Sequence, residues 1–131
     1  MGLQDELVGT FELVGLESRH SDGVITHPYG DHPVGIFMFD VSGRFSVQVT
    51  AQAAIPRPTN YLAMFGTYVV DDDRRAFILT PRGAADPQLI GTEVLRHVTL
   101  DGELAVFNTP TTDVDGVEVT TYITWRRVVD G

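Results

Sequence analysis

The sequence predicts an all-β protein, an antiparallel meander closed into a barrel of about eight to ten strands with one or two short helical turns. Three observations lead there. Short stretches of alternating apolar and polar residues recur along the chain, separated by turn segments such as Asp40-Val41-Ser42-Gly43, Asp71-Asp72-Asp73 and Asp101-Gly102. Most connections are short, and strands joined that way run antiparallel. An opening strand that begins Gly9-Thr10-Phe11 and a final strand that ends Trp125-Arg126-Arg127 supply the two edges that close the sheet.

Residues 2–8 suit a single helical turn, and the first strand covers residues 10–17 with Phe11 and Leu13 on one side. Residues 18–33 are dense in turn formers around a short strand at 24–26. Strands follow at 35–39 and 45–49, joined by a hairpin whose Gly43 supplies a positive φ. Pro56 and Pro58 forbid a long helix in 51–60. Further strands are expected at 65–70, 76–80, 92–100, 103–109 and 117–128, with 81–91 a second irregular loop. That makes about nine strands in one domain, residues 1–131, without internal repeats.

If Asp101-Gly102 form a two-residue hairpin loop, Thr99, His97 and Leu95 share a face with Leu104 and Val106. On that reading His97 turns inward. The opposite face, with Val94, Val98, Ala105 and Phe107, is nearly as apolar, so alternation alone leaves the inward side open.

Composition narrows the chemistry. Hydrophobic residues make up 43% and charged residues 21%, ordinary for a globular chain. No apolar run approaches the ~20 residues of a membrane span, and no signal peptide or myristoylation pattern opens the chain, so a cytoplasmic location is expected. A net charge of −9 disfavours nucleic acid as a partner. All nine basic residues are arginine, which excludes lysine Schiff bases, and the absence of cysteine excludes thiolate nucleophiles and disulfides. No phosphate loop or Gly-x-Ser-x-Gly elbow occurs, and nothing calls for a cofactor. His20, His27, Asp31 and His32 gather in the first connection, but their spacing fits no metal motif, and no metal is expected.

Several segments carry a family likeness. They are residues 7–13 (Leu-Val-Gly-Thr-Phe-Glu-Leu), Tyr29-Gly30 through Gly35, and residues 40–48 from Asp40 to Gln48. Tyr61-Leu62-Ala63, Gly66-Thr67-Tyr68, Pro87 through Gly91-Thr92-Glu93 to Arg96, and Thr124-Trp125-Arg126-Arg127-Val128 continue it. In this order they resemble the lipocalin-like domains of bacteria and fungi, small relatives of the lipocalin barrel. Phe11 stands where the family's opening motif usually has tryptophan, and residues 76–80 lack a histidine found in relatives. The resemblance implies a barrel able to hold a ligand, with Trp125 and Arg127 sealing its floor against Phe11. Proteins of this class include ligand carriers and cofactor-free cyclases or isomerases of natural-product pathways, and a shared fold does not choose between them.

Candidate ligand contacts are Phe37, Phe39, Phe45, Gln48, Tyr61, Phe65, Tyr68, Glu93, Leu95 and Val106; the aromatic members either line a cavity or fill the core. Catalytic candidates are His97, a neutral imidazole able to act as a base, Tyr68, able to hydrogen-bond a carbonyl or enolate oxygen, and Arg96. The expected partner is a small, largely hydrophobic metabolite, bound by a monomer or homodimer that is either a carrier or an enzyme folding its substrate into a reactive shape. A barrel filled by its own side chains is the third possibility.

Overall fold

Alternation of side chains along each strand builds one wall with a buried and an exposed face. The computed structural model describes residues 2–51 and 61–129. In chain order it contains α1 (Leu3–Leu7), β1 (Gly9–His20), β2 (Ile25–Thr26), β3 (Val34–Phe39), β4 (Arg44–Thr50), β5 (Tyr61–Asp71) and β6 (Ala76–Ala84). A 3-10 turn at Pro87–Leu89 precedes β7 (Val94–Asp101), β8 (Leu104–Asn108), β9 (Thr112–Val114) and β10 (Val117–Arg127). Among the described residues, no helix is long and apolar enough to cross a membrane.

The hydrogen-bonded order is β1-β3-β4-β5-β6-β7-β8-β10, and β10 returns to pair with β1 from Phe11↔Arg127 to His20↔Val119. The antiparallel meander is therefore a closed barrel, as the strand pattern predicts. β2 and β9 are short additions, one on β1 and one on β10.

Two irregularities bend the wall. Val14 has no opposite residue between the pairs Leu13↔Trp125 and Gly15↔Thr124, so it bulges outward and is 47% exposed. Arg82 is skipped between Gly66↔Pro81 and Phe65↔Gly83. There the backbones approach so closely that a Cβ on Gly66 would lie 2.1 Å from the Thr80 carbonyl oxygen, which only glycine avoids.

The lower half of the interior is filled with aromatic rings. Phe37 stacks on Phe39 with centroids 4.3 Å apart. Phe107 meets Phe11, Phe37, Phe39 and Phe77 edge-on at 5.0 to 5.9 Å. Trp125 stands edge-on to Phe37 at 5.5 Å. Such pairs add ~0.5–1.5 kcal/mol each beyond the area they bury.

α1 closes the bottom with Leu3 and Leu7, neither of which is exposed. The Leu3 amide donates to Asp72 at 2.6 Å, and Arg75 pairs with Glu6 at 3.1 Å. The Arg127 guanidinium lies 4.6 Å above the Phe11 ring and donates to the carbonyls of Val8, at 3.0 Å, and Glu6. Gly9, at φ 135°, leaves it room, because a Cβ there would lie 2.8 Å from Arg127 Nη1. Asp72, in the acidic turn, thus satisfies a helix N–H.

Three local expectations change. The β7–β8 hairpin pairs Asp101 with Leu104, so its loop residues are Gly102 and Glu103. Asp115-Gly116 is the Asp-Gly turn with both residues at positive φ, 53° and 85°, and it joins β10 to the unanticipated β9. The third concerns the inward face of β7 and β8. Val98 (5% exposed), Ala105 (0%) and Phe107 (1%) point inward, so Leu95, His97 and Thr99 share the outer face with Leu104 and Val106. The two sets of residues are as expected, but their sides are reversed.

Candidate functional site

Directly opposed residues in a sheet point to the same side, so the register identifies the inner surface above the aromatic floor. This upper end lies where β1 finishes at His20, β3 begins at Val34, β6 finishes at Ala84 and β7 begins at Val94. Leu62 opposes buried Val49, Val94 opposes buried Leu79, and Ile123 opposes buried Phe107 and Leu16. All three face inward and pack against the core, yet each keeps part of its surface accessible.

A polar group of side chains lies at this level. Arg96 opposes Phe77, which has no exposed surface, so its stem enters the interior. Burial lowers its pKa. Its described hydrogen bond runs from Nη1 to the Leu95 carbonyl at 2.8 Å. Ser18, only 5% exposed, opposes Thr121, and their hydroxyls are 2.7 Å apart. The Thr121 amide donates to the Thr109 hydroxyl at 2.9 Å. Counting back by twos from Trp125 through Ile123 reaches Thr121, a signal in the sequence that would have found it.

The expected ligand contacts fall into two groups. Phe37, Phe39, Phe45 and Tyr68 face inward but are packed into the core. Tyr68 donates its hydroxyl to the Asp40 carbonyl at 2.8 Å, and burial raises its pKa. Neither the rings nor this phenol is presented to a ligand in the upper half. Tyr61 and Phe65 alternate with inward Leu62 and Met64 and so face outward, Phe65 being 58% exposed. Leu95 and Val106 lie on the outer face, while Gln48 and Glu93 are exposed. His97 also faces outward, which corrects the inward placement built on the hairpin. Arg96 is the catalytic candidate that faces the upper interior.

Gln48, Phe65 and Val106 border hollows on the outer wall instead. One of about 410 Å³ lies where β1 and β3 part, lined by Glu12, Leu13, Val34, Ile36 and Gln48. A second, of about 230 Å³, joins Gln48 to Phe65 and Gly83. A third, of about 250 Å³, includes Val106, Tyr122, Glu17 and Arg19. Arg19 lies 4.2 Å over the Tyr122 ring and pairs with Glu17 at 2.8 Å. In the first connection His27 and Asp31 stand 3.9 Å apart. No group of three potential metal ligands forms among the described residues.

No curated protein matches the chain. A family model described as a lipocalin-like domain matches residues 8–60 and 57–128, nearly the whole of the barrel. Closure of β10 onto β1 gives that match its structural counterpart, and the chain belongs to the lipocalin-like domain family.

Proposed function

We propose that this protein binds a small, largely hydrophobic metabolite in the upper half of its barrel. One observation carries the reading: Leu62, Val94 and Ile123 point inward and are apolar, but they are not sealed as the residues below them are. Apolar walls with a few polar groups are the usual make-up of a small-molecule site. The aromatic floor limits the guest to the space above Phe77, Phe107 and Trp125.

Displacement of an environment-sensitive dye, with native mass spectrometry of freshly purified protein, tests this. Val94→Phe adds a ring to the proposed wall and is expected to weaken binding about tenfold. Unchanged dye affinity in that variant would move the site elsewhere.

The alternative is a cofactor-free cyclase or isomerase that folds a polyketide-like substrate inside the same space. Its support rests on Arg96, which can stabilise a developing oxyanion. His97 faces away from the interior and Tyr68 is engaged with Asp40, so a base acting from the lumen is the part this alternative lacks.

A further inference from the structure

We propose that Arg96, assisted by the hydroxyls of Ser18 and Thr121, seats the carboxylate of an amphipathic, singly charged ligand whose apolar body lies against Leu62, Val94 and Ile123. The inference deepens the binding reading above and rests on it.

The first argument is the contrast among the arginines. Arg19, Arg74 and Arg75, all exposed, have carboxylate partners in Glu17, Asp71 and Glu6. Arg96, enclosed by the wall, has none within 4.0 Å among the described residues. Outside the description, residues 52–60 contain no aspartate or glutamate, and the remaining carboxylates, Asp130 and the C-terminus, come after β10 in the chain. A guanidinium has five N–H donors, and the Leu95 carbonyl takes one. Removing such a cation from bulk water is costly unless an anion and further acceptors answer it. Arg44, Arg82 and Arg126 also have no described carboxylate but are exposed to water, and Arg127 is answered by two carbonyls and the Phe11 ring; Arg96 turns inward with a single described acceptor.

The second argument is register. One step beyond His97↔Asn108, Arg96 comes beside Thr109; the Thr109 amide donates to the Thr121 carbonyl at 2.9 Å, and Thr121 opposes Ser18. Cation and hydroxyls therefore lie on one hydrogen-bonded row across β7, β8, β10 and β1. β8 alone separates β7 from β10, about 10 Å at ~4.8 Å per strand, a span that the arginine stem and a carboxylate cover together. In the Ser18–Thr121 pair one hydroxyl donates to the other, which leaves the acceptor's own O–H free for the ligand.

One guanidinium and one free hydroxyl match a monoanion. A dianion would meet a single counter-charge inside a strongly acidic protein. The apolar wall next to the seat calls for a hydrophobic tail.

Calorimetry with octanoate and 1-octanol tests the proposal on the full chain near neutral pH. The protein should bind octanoate about tenfold or more tightly than the alcohol. Arg96→Gln should remove that preference and leave octanol affinity unchanged, while Arg96→Lys should retain part of it. Ser18→Ala and Thr121→Val should reduce octanoate affinity severalfold, so the proposal does not depend on one variant folding; near-ultraviolet dichroism of Trp125 checks each fold. Equal affinity for the two probes in the unaltered protein would overturn the anion seat and leave the hydrophobic site standing. Binding of neither would overturn both.

Discussion

The two halves of the barrel share the same strands, the same register and the same inner face, and differ in what fills them. Along β10, Trp125 is 2% exposed at the lower level, while Ile123 and Thr121 above it stay partly accessible. Along β7, buried Val98 gives way to Arg96. A barrel of this strand number has room for its own side chains or for one small ligand, and here the burial of the inner face changes level by level. Large rings exhaust the lower volume and fasten the floor. In the upper wall Leu62, Val94, Thr121 and Ile123 keep part of their surface accessible. On the binding reading proposed above, stability and recognition are separated within one closed sheet.

That contrast can be broken by substitution. Phe107→Ala, in the lower cluster, should cost about 3–5 kcal/mol in urea unfolding; a loss under about 1 kcal/mol would mean the rings do not hold the fold. Val94→Ala, in the upper half, should cost about 1 kcal/mol or less, because its methyls are only partly covered. Equal costs for the two would erase the distinction. Asp72→Ala should also cost about 1 kcal/mol, by stripping the acceptor from the Leu3 amide, and should leave upper-half binding intact. Acid titration sharpens the picture at the floor. Hydrogen bonds from Ser42 hold Asp40, and bonds from the side chain and backbone of Arg74 hold Asp71, below the usual 3.8. Their support is complete above that value and lost as pH falls through the lowered folded values. Asp40→Asn should flatten that acid limb slightly in thermal melts. His97→Ala is the smallest expected effect, within ~0.5 kcal/mol of the parent and neutral for ligand affinity. A tenfold loss of binding there would return the imidazole to the site.

How much of this was legible in the residues depended on how unequal the two faces of a strand were. In β4, Phe45, Val47 and Val49 alternate with Ser46 and Gln48, so its inner side is plain. β7 and β8 carry Val94, Val98, Ala105 and Phe107 on one side and Leu95, Leu104 and Val106 on the other. Two apolar faces supply no vote, and only closure of the wall decides. The hairpin at Asp101 misled for a related reason: a glycine in a tight turn is easily placed one position out. The occupied interior could not be read at all, since spacing reports which residues point inward and not how much volume their rings consume. Arg96 stood among the catalytic candidates beside His97, and its place two residues from Val98, on the same side of the strand, turns it inward. The same alternation turns His97 out.

The seam between β1 and β10 has a kinetic consequence. Phe11 must find Arg127, so the pairing that completes the wall joins residues from opposite ends of the chain and carries the heaviest loop-closure entropy of any contact in the sheet. Hairpins such as β3–β4 can zip locally in microseconds, but the last edge must wait for the whole meander to curl. Folding is thus placed among the slow topologies, with two unpaired edges exposed until the ring is complete. Until then those edges are the points most open to strand exchange with another copy.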